Sequence, residues 1–241
     1  MPISGVGSWL PTIDEFIAHW TAVNAALAPG ALTLSDGYEL PNGGGNPNIT
    51  DDRAAVDDAI GDVQSQLNLL SNARGVRDLA RVALNPRFLQ FRNAIGAYLH
   101  NSQYLQSIPP TPQFDQSPGD WRDAMDDMVH LWGVINTNTP AIPGFTPPLL
   151  LAAGYTLATF TTDAAALNTA FITVSSLDQD AQQSREHRDA VFAPVYERLR
   201  QYRLAVQATF GPEHELIATL PALTPAAGHT PDPVSLSGIW D

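Results

Sequence analysis

The stretch that decides the fold occurs twice in the chain, as GSWLPTIDEFIAHWTAVN (residues 7–24) and as GDWRDAMDDMVHLWGVIN (residues 119–136). Each copy places two tryptophans eleven positions apart and closes on a β-branched residue followed by Asn. Tryptophan occurs only five times in 241 residues, so the shared spacing indicates an internal duplication. The anchors of this repeat are Trp9, Trp20, Trp121 and Trp132.

Apolar periodicity predicts helices around both copies. In the first copy Ile13, Phe16, Ile17 and Trp20 recur at three- and four-residue spacing, which places them on one helical face. Each half then continues with two more stretches of this kind, which predict a second and a third helix. No segment alternates in the manner of a strand between hairpin turns. The sequence therefore predicts an all-α, internally duplicated helical bundle of two three-helix units.

A proline lies within the third predicted helical stretch of each half. Pro86 interrupts the third stretch of the first half and either restarts the helix or kinks it. Pro194 lies 108 positions later, which predicts the equivalent break in the second half. The third stretch of the first half carries Val76, Leu79, Val82, Phe88, Phe91, Ile95, Tyr98 and Leu99.

The predicted boundaries follow the repeat. Residues 1–112 form the first helical unit, residues 113–220 the second, and residues 221–241 an extended C-terminal arm. The arm is rich in proline, which excludes a helix and favours an extended chain. It ends in an apolar aromatic peptide, the kind of segment that docks on another surface. The residues that we expect at a subunit interface are Pro231, Pro233, Leu236, Ile239 and Trp240.

Composition excludes several classes of function. The net charge of −13 argues against nucleic acid, whose phosphates require clustered cations, and against an anionic membrane surface. The chain has no Cys and all twelve of its cations are Arg, so thiolate and Schiff-base chemistry have no residue to carry them. The longest apolar stretch, residues 147–155, is too short to span a bilayer.

Few residues suggest catalysis or metal binding. Asp127 and His130 share a helical face, but a di-iron bundle uses this spacing twice, and the aligned residues of the first half are Glu15 and Ala18. Glycines at residues 43–45 lack the spacing and the preceding strand of a phosphate-binding loop. We therefore expect no catalytic residue, no metal and no cofactor.

Arginines cluster on the predicted third helix of each half. The first cluster spans residues 74–92 and the second spans residues 185–203. Such a face could bind a complementary acidic face of another subunit, or it could pair with acidic side chains of neighbouring helices in the same chain. Exposed pairs of the second kind contribute only ~0–1 kcal/mol each.

The start Trp9-Leu10-Pro11, the duplicated helices and the closing Thr230-Pro231-Asp232-Pro233 resemble a loose group of uncharacterised bacterial helical-bundle proteins. That resemblance implies an all-α fold and no assigned activity.

Three functions remain open at this point. The first is a non-enzymatic structural protein, a homo-oligomer joined through its arm. The second is a binding module that holds a peptide or a small ligand, with the glycine-rich loop as a lid. The third, a metal-dependent enzyme, rests on His130 alone. Residues 1–7 lack the basic and apolar regions of a signal peptide, so we expect a cytoplasmic protein, with non-classical export as the alternative.

Overall fold

The computed structural model describes residues 2–41, 47–99, 103–137 and 142–224, and this part of the chain is all-α. Its helices are α1 (Trp9–Leu27), α2 (Ile49–Tyr98), α3 (Pro118–Thr137), α4 (Leu157–Thr209) and the short α5 (Glu215–Ala218). Short 3-10 turns and isolated β-bridges lie between them, and the described residues contain no strand.

The prediction of three helices in each half was wrong, because the expected second and third helices form one continuous helix. Helix α2 contains Pro86 and helix α4 contains Pro194. A proline inside a helix removes a single N–H donor. Buried residues on both sides of each proline, such as Leu84 and Phe88 in α2, keep the helix on the same core face. Helix α4 begins at Leu157, because residues 149–155 form a tight turn.

The chain divides into two compact units, and both long helices pass through both of them. The unit that we call terminal contains residues up to Ser65 together with the described residues from Gln183 onward. The unit that we call central contains Gln66–Gln182. The predicted boundary at residue 112 separates the two sequence halves, whereas each compact unit draws helical segments from both halves.

The core of the terminal unit is built from α1, the start of α2 and the end of α4. Burying an apolar side chain of Leu, Ile or Phe size contributes about 1.5–3 kcal/mol, so the large buried side chains stabilise this core most. Its largest members are Trp9, Phe16, Trp20, Tyr38, Ile49, Phe192, Leu199, Tyr202 and Val206.

The core of the central unit is built from the end of α2, helix α3 and the start of α4. Aromatic rings again dominate it, with Phe91 5.3 Å from Trp132 between ring centroids. Its members include Leu84, Phe88, Phe91, Ile95, Trp121, Met128, Trp132, Phe160 and Leu167.

Buried positions of α2 recur in α4 with a constant offset of 111 residues. Ile49 and Phe160, Val56 and Leu167, Leu84 and Val195, Phe91 and Tyr202, and Ile95 and Val206 are all buried. The match of Pro86 with Pro194, at 108, is therefore one helical turn out of register with the core. An exposed proline carries no information about which face is buried, whereas the buried aromatic and aliphatic side chains do.

Candidate functional site

All four tryptophans of the sequence repeat are buried. Trp9 stacks against Phe192 with 4.2 Å between ring centroids, and Trp20 lies 4.4 Å from Tyr202. An aromatic binding platform needs an open ring face, and these faces are covered by the core. The rings therefore pack their units, and the indole N–H groups of Trp20, Trp121 and Trp132 donate to backbone carbonyl oxygens of neighbouring loops.

A Trp and an Asn four residues apart hold one leucine of the following loop by both of its backbone groups. In the terminal unit the Trp20 indole N–H donates to the Leu32 carbonyl (3.2 Å), and the Leu32 amide donates to Asn24 Oδ1 (2.9 Å). The central unit contains the same pair of bonds: Trp132 to the Leu149 carbonyl (3.0 Å), and the Leu149 amide to Asn136 Oδ1 (2.7 Å). We call this arrangement the Trp–Asn clamp.

A tight turn follows each clamped leucine. The amide of Leu34 donates to the carbonyl of Tyr38 (2.8 Å), and that of Leu151 to the carbonyl of Tyr155 (2.9 Å). Within each turn two successive residues have positive φ: Asp36 and Gly37 at 60° and 75°, and Ala153 and Gly154 at 59° and 73°. Glycine adopts this conformation without a steric cost. The two turns share the pattern Leu-x-Leu-x-x-Gly-Tyr. This second repeat is present in the sequence but is less conspicuous than the tryptophan spacing.

Each turn presents its tyrosine to an Asp and an Arg. In the terminal unit the Tyr38 hydroxyl donates to Asp52 (2.8 Å), and Arg198 Nη1 donates to both oxygens of that carboxylate (2.6 and 2.7 Å). The Arg198 guanidinium also lies 4.7 Å from the centre of the Tyr38 ring, a cation–π distance.

The central unit contains a second contact between a tyrosine, an Asp and an Arg. We call both contacts polar clasps. The Tyr155 hydroxyl donates to Asp163 (2.5 Å), and the Arg87 guanidinium lies 4.1 Å from the Tyr155 ring centre. Burial, followed by the hydrogen bond to the carboxylate, raises the pKa of both Tyr38 and Tyr155 well above the usual range. These phenols therefore stay protonated at neutral pH and donate to the carboxylates.

The surface has several open grooves. One of about 220 Å³ lies beside Tyr38 and Arg198, where the carboxylate and the guanidinium already bind each other. Another of about 400 Å³ lies in the central unit beside Leu149, Leu150 and Leu157. A third of about 410 Å³ is lined by Arg122, Phe171 and Ile172.

The acid–histidine pair of helix α3 lies at the surface, with both Asp127 and His130 exposed. Among the described residues no group of three or more His, Asp or Glu side chains is close enough to hold a metal ion. His19, by contrast, is buried, with Nδ1 2.7 Å from the Tyr202 hydroxyl and Nε2 2.9 Å from the Leu216 carbonyl oxygen. It joins α1 to α4 and α5 within the terminal unit.

The arginine clusters largely bind within their own units. Arg74 pairs with Asp178, Arg77 with the adjacent Asp78, and Arg200 with Glu197. Two others bind backbone carbonyl oxygens: Arg81 those of Phe114 and Gln116, and Arg92 that of Pro109. The intramolecular interpretation thus describes these contacts, although the exposed pairs among them are weak.

The first residues of the predicted arm pack against the terminal unit. Pro221 accepts a hydrogen bond from Arg203, the Ile3 amide donates to the Leu223 carbonyl (2.9 Å), and Leu223 is buried. Residues 221–224 therefore belong to the terminal unit. The predicted interface residues Pro231, Pro233, Leu236, Ile239 and Trp240 lie outside the described residues, as do the glycines at 43–45.

Part of α2 exposes large apolar side chains. Val76, Leu79 and Val82 are exposed, although they continue the apolar stretch that includes the buried Phe88 and Phe91. The sequence contained the signal for this difference. The buried residues from Leu84 onward follow spacings of three and four, whereas Val76, Leu79 and Val82 follow a strict spacing of three, which rotates out of the core face.

The fold and these contacts define the chain as an all-α protein whose interhelical loops are held by paired polar clasps. No protein family, curated protein or solved structure matches it. The resemblance to bacterial helical-bundle proteins accordingly stays a prediction. Among the described helices, none has a stretch both long and apolar enough to cross a membrane.

Proposed function

We propose that this chain is a non-enzymatic structural protein that self-associates, with its C-terminal segment, residues 225–241, docking on a neighbouring subunit. The observation that carries the proposal is that residues 221–224 already complete the packing of the terminal unit. In the central unit Arg92 holds Pro109 of the linker that leads into α3. In the terminal unit Arg203 holds Pro221, and residues 2–8 lead into α1 from the Ile3–Leu223 bond.

The segment after Thr224 has no counterpart in the linker of the central unit. We infer that it is an addition to the bundle and that another chain can bind it. Its composition supports this use, because three prolines stiffen it and an Ile-Trp pair near its end offers a large apolar anchor.

The test is light-scattering mass after size exclusion, at several concentrations, for the full chain and for a version ending at Thr224. This end point keeps Leu223, so the terminal core stays covered. We expect a species larger than the 25.9 kDa monomer for the full chain and a monomer for the shortened one. Trp240→Ala in the full chain should weaken the large species. A full chain that stays monomeric at every concentration would overturn the proposal.

We also infer that the two halves of the chain are copies of one ancestral unit. The support is the recurrence of the Trp–Asn clamp, the Leu-x-Leu-x-x-Gly-Tyr turn and the Tyr–Asp contact, together with the constant offset of buried positions between α2 and α4. Each feature involves different residue types, so chance agreement of all of them is improbable. Replacing residues 32–38 by the sequence of residues 149–155 tests whether the two turns are equivalent.

A second candidate, a binding module for a peptide or a small ligand, is favoured by the groove of about 400 Å³ beside Leu149, Leu150 and Leu157. Its size suits a small apolar ligand. Screening for ligands that raise the melting temperature, with Leu150→Asn as the control variant, tests it. A ligand that stabilises both chains equally would argue against this groove.

A further inference from the structure

Helix α2 carries an exposed apolar surface that its own unit does not cover. Leu69, Val76, Leu79, Val82 and Leu89 are 47, 61, 72, 57 and 48% exposed, respectively. At 1.5 Å per residue they extend over about 30 Å of helix. Their positions lie away from the face formed by the buried Leu84, Phe88, Phe91 and Ile95. We call these five residues the α2 stripe.

The fold itself does not require this stripe. An offset of 111 relates the buried positions of the two long helices. With this offset the counterparts of the α2 stripe in α4 are Asp180, His187, Ala190, Ala193 and Arg200. Those positions also face solvent wholly or in part, and they carry small or polar side chains. Helix α4 thus shows that folding does not require large apolar side chains at these positions. Helix α2 nevertheless has five of them. A continuous exposed apolar surface of this kind is typical of an interaction site.

Charge indicates what covers the stripe. Residues 66–98 of α2 contain five arginines and one acidic residue, Asp78, in a chain whose net charge is −13. Two copies of this helix face to face would bring like charges together. The segment 225–241 contains Asp232 and Asp241 and no Arg, and its apolar residues include Leu236, Ile239 and Trp240. It therefore complements the stripe both in charge and in apolar character.

We propose that the α2 stripe is the surface on which the C-terminal segment of a second copy of this chain docks. The inference rests on the proposed self-association and names its receptor. Leu236, Ile239 and Trp240 cover the apolar side chains of the stripe, and Asp232 and Asp241 lie toward Arg74. The ion pair of Arg74 with Asp178 is exposed, so exchanging it for a new partner costs little.

The first arm of the test compares two double variants of the full chain. Leu79→Asn with Val82→Asn changes the stripe at two exposed positions, and Ala190→Asn with Ala193→Asn makes the matched change on the counterpart face of α4. Circular dichroism establishes that both retain the helix content of the parent. We expect light scattering to give a monomer for the stripe variant and the parent assembly for the control.

The second arm uses a labelled peptide of residues 225–241 and the chain ending at Thr224. Fluorescence anisotropy should show binding that weakens at least tenfold with the stripe variant and is unchanged with the α4 control. Weakening by both variants alike would overturn the assignment of the stripe.

The outcomes separate the two proposals. A full chain that assembles, with a stripe variant that assembles equally well, overturns the stripe and leaves self-association standing. A full chain that is monomeric overturns self-association. If the peptide nevertheless binds the shortened chain through the stripe, the segment docks within its own chain, which contradicts docking on a second copy.

Discussion

Asn24 and Asn136 are the residues that connect helix and loop in each unit. Each accepts the amide of a leucine whose carbonyl is held by a buried tryptophan one helical turn away. A buried amide that loses its partner costs about 1–3 kcal/mol, more than the net gain of an average hydrogen bond. These two small side chains therefore have a large effect on the conformation of the loops.

Asn24→Ala and Asn136→Ala should each lower the free energy of unfolding by about 1–2 kcal/mol, because each leaves a leucine amide unpaired. Urea denaturation followed by tryptophan fluorescence measures this loss. Asn72→Ala, at an exposed position of α2, is the control and should change stability by less than about 0.5 kcal/mol. Losses at Asn24 and Asn136 no larger than the control would show that the clamps do not bear on stability.

Buried phenols predict a specific response to alkali. Burial raises the pKa of Tyr202, and burial together with a carboxylate raises that of Tyr38 and Tyr155. In the unfolded chain a tyrosine has a pKa of about 10, so above that pH the unfolded state loses protons that the folded state retains. Stability from these groups is therefore complete below about pH 10 and is lost as the pH rises further.

We expect the free energy of unfolding to fall above about pH 10, with a smaller slope in the variant Tyr202→Phe, which has one buried phenol fewer. Chemical denaturation between pH 8 and pH 11 measures the slope. An identical slope in both chains would contradict the assignment of Tyr202 to this effect.

The interhelical turn is the element in which the two units agree most closely. Residues 32–38 and residues 149–155 have equal length, and in each the first residue is clamped and the last is a tyrosine that binds an Asp. Leu34 and Leu151, and Gly37 and Gly154, also agree, whereas the side chains at the other three positions differ. The backbone path is therefore set by the clamp and by the positive-φ pair, and the remaining positions are free to vary.

Replacing residues 32–38 by the sequence of residues 149–155 should give a folded chain within about 1.5 kcal/mol of the parent, because the required groups occupy the same places. Thermal unfolding by circular dichroism measures the difference. Gly37→Val is the contrasting variant: at a φ of 75° a β-branched residue is strained, and we expect a loss above about 1 kcal/mol. An exchanged chain that fails to fold would argue against equivalence of the two turns.

For the whole molecule, the decisive feature is that each core combines residues from both halves of the chain. The terminal core joins Trp20 and Val56 to Tyr202 and Val206, and the central core joins Phe91 to Trp132 and Phe160. Neither half therefore contains a complete core.

Residues 1–112 alone should lack fixed tertiary structure, and mixing them with residues 113–241 should restore it. Near-ultraviolet circular dichroism reports the environment of the four buried tryptophans and measures this recovery. If residues 1–112 form a monomer with a native-like spectrum and a cooperative transition, the halves fold independently and the shared cores are not required.

The sequence by itself determined the all-α class, the tryptophan repeat and the faces that each helix buries around it, because helical periodicity is a local property of the chain. It also contained the repeated Gly-Tyr turn. Tertiary structure alone decided that the expected second and third helices join and that each core combines both halves. These outcomes depend on pairings between side chains more than a hundred residues apart, such as Trp20 with Tyr202. Periodicity shows that a face is apolar, but only packing decides whether another helix covers it.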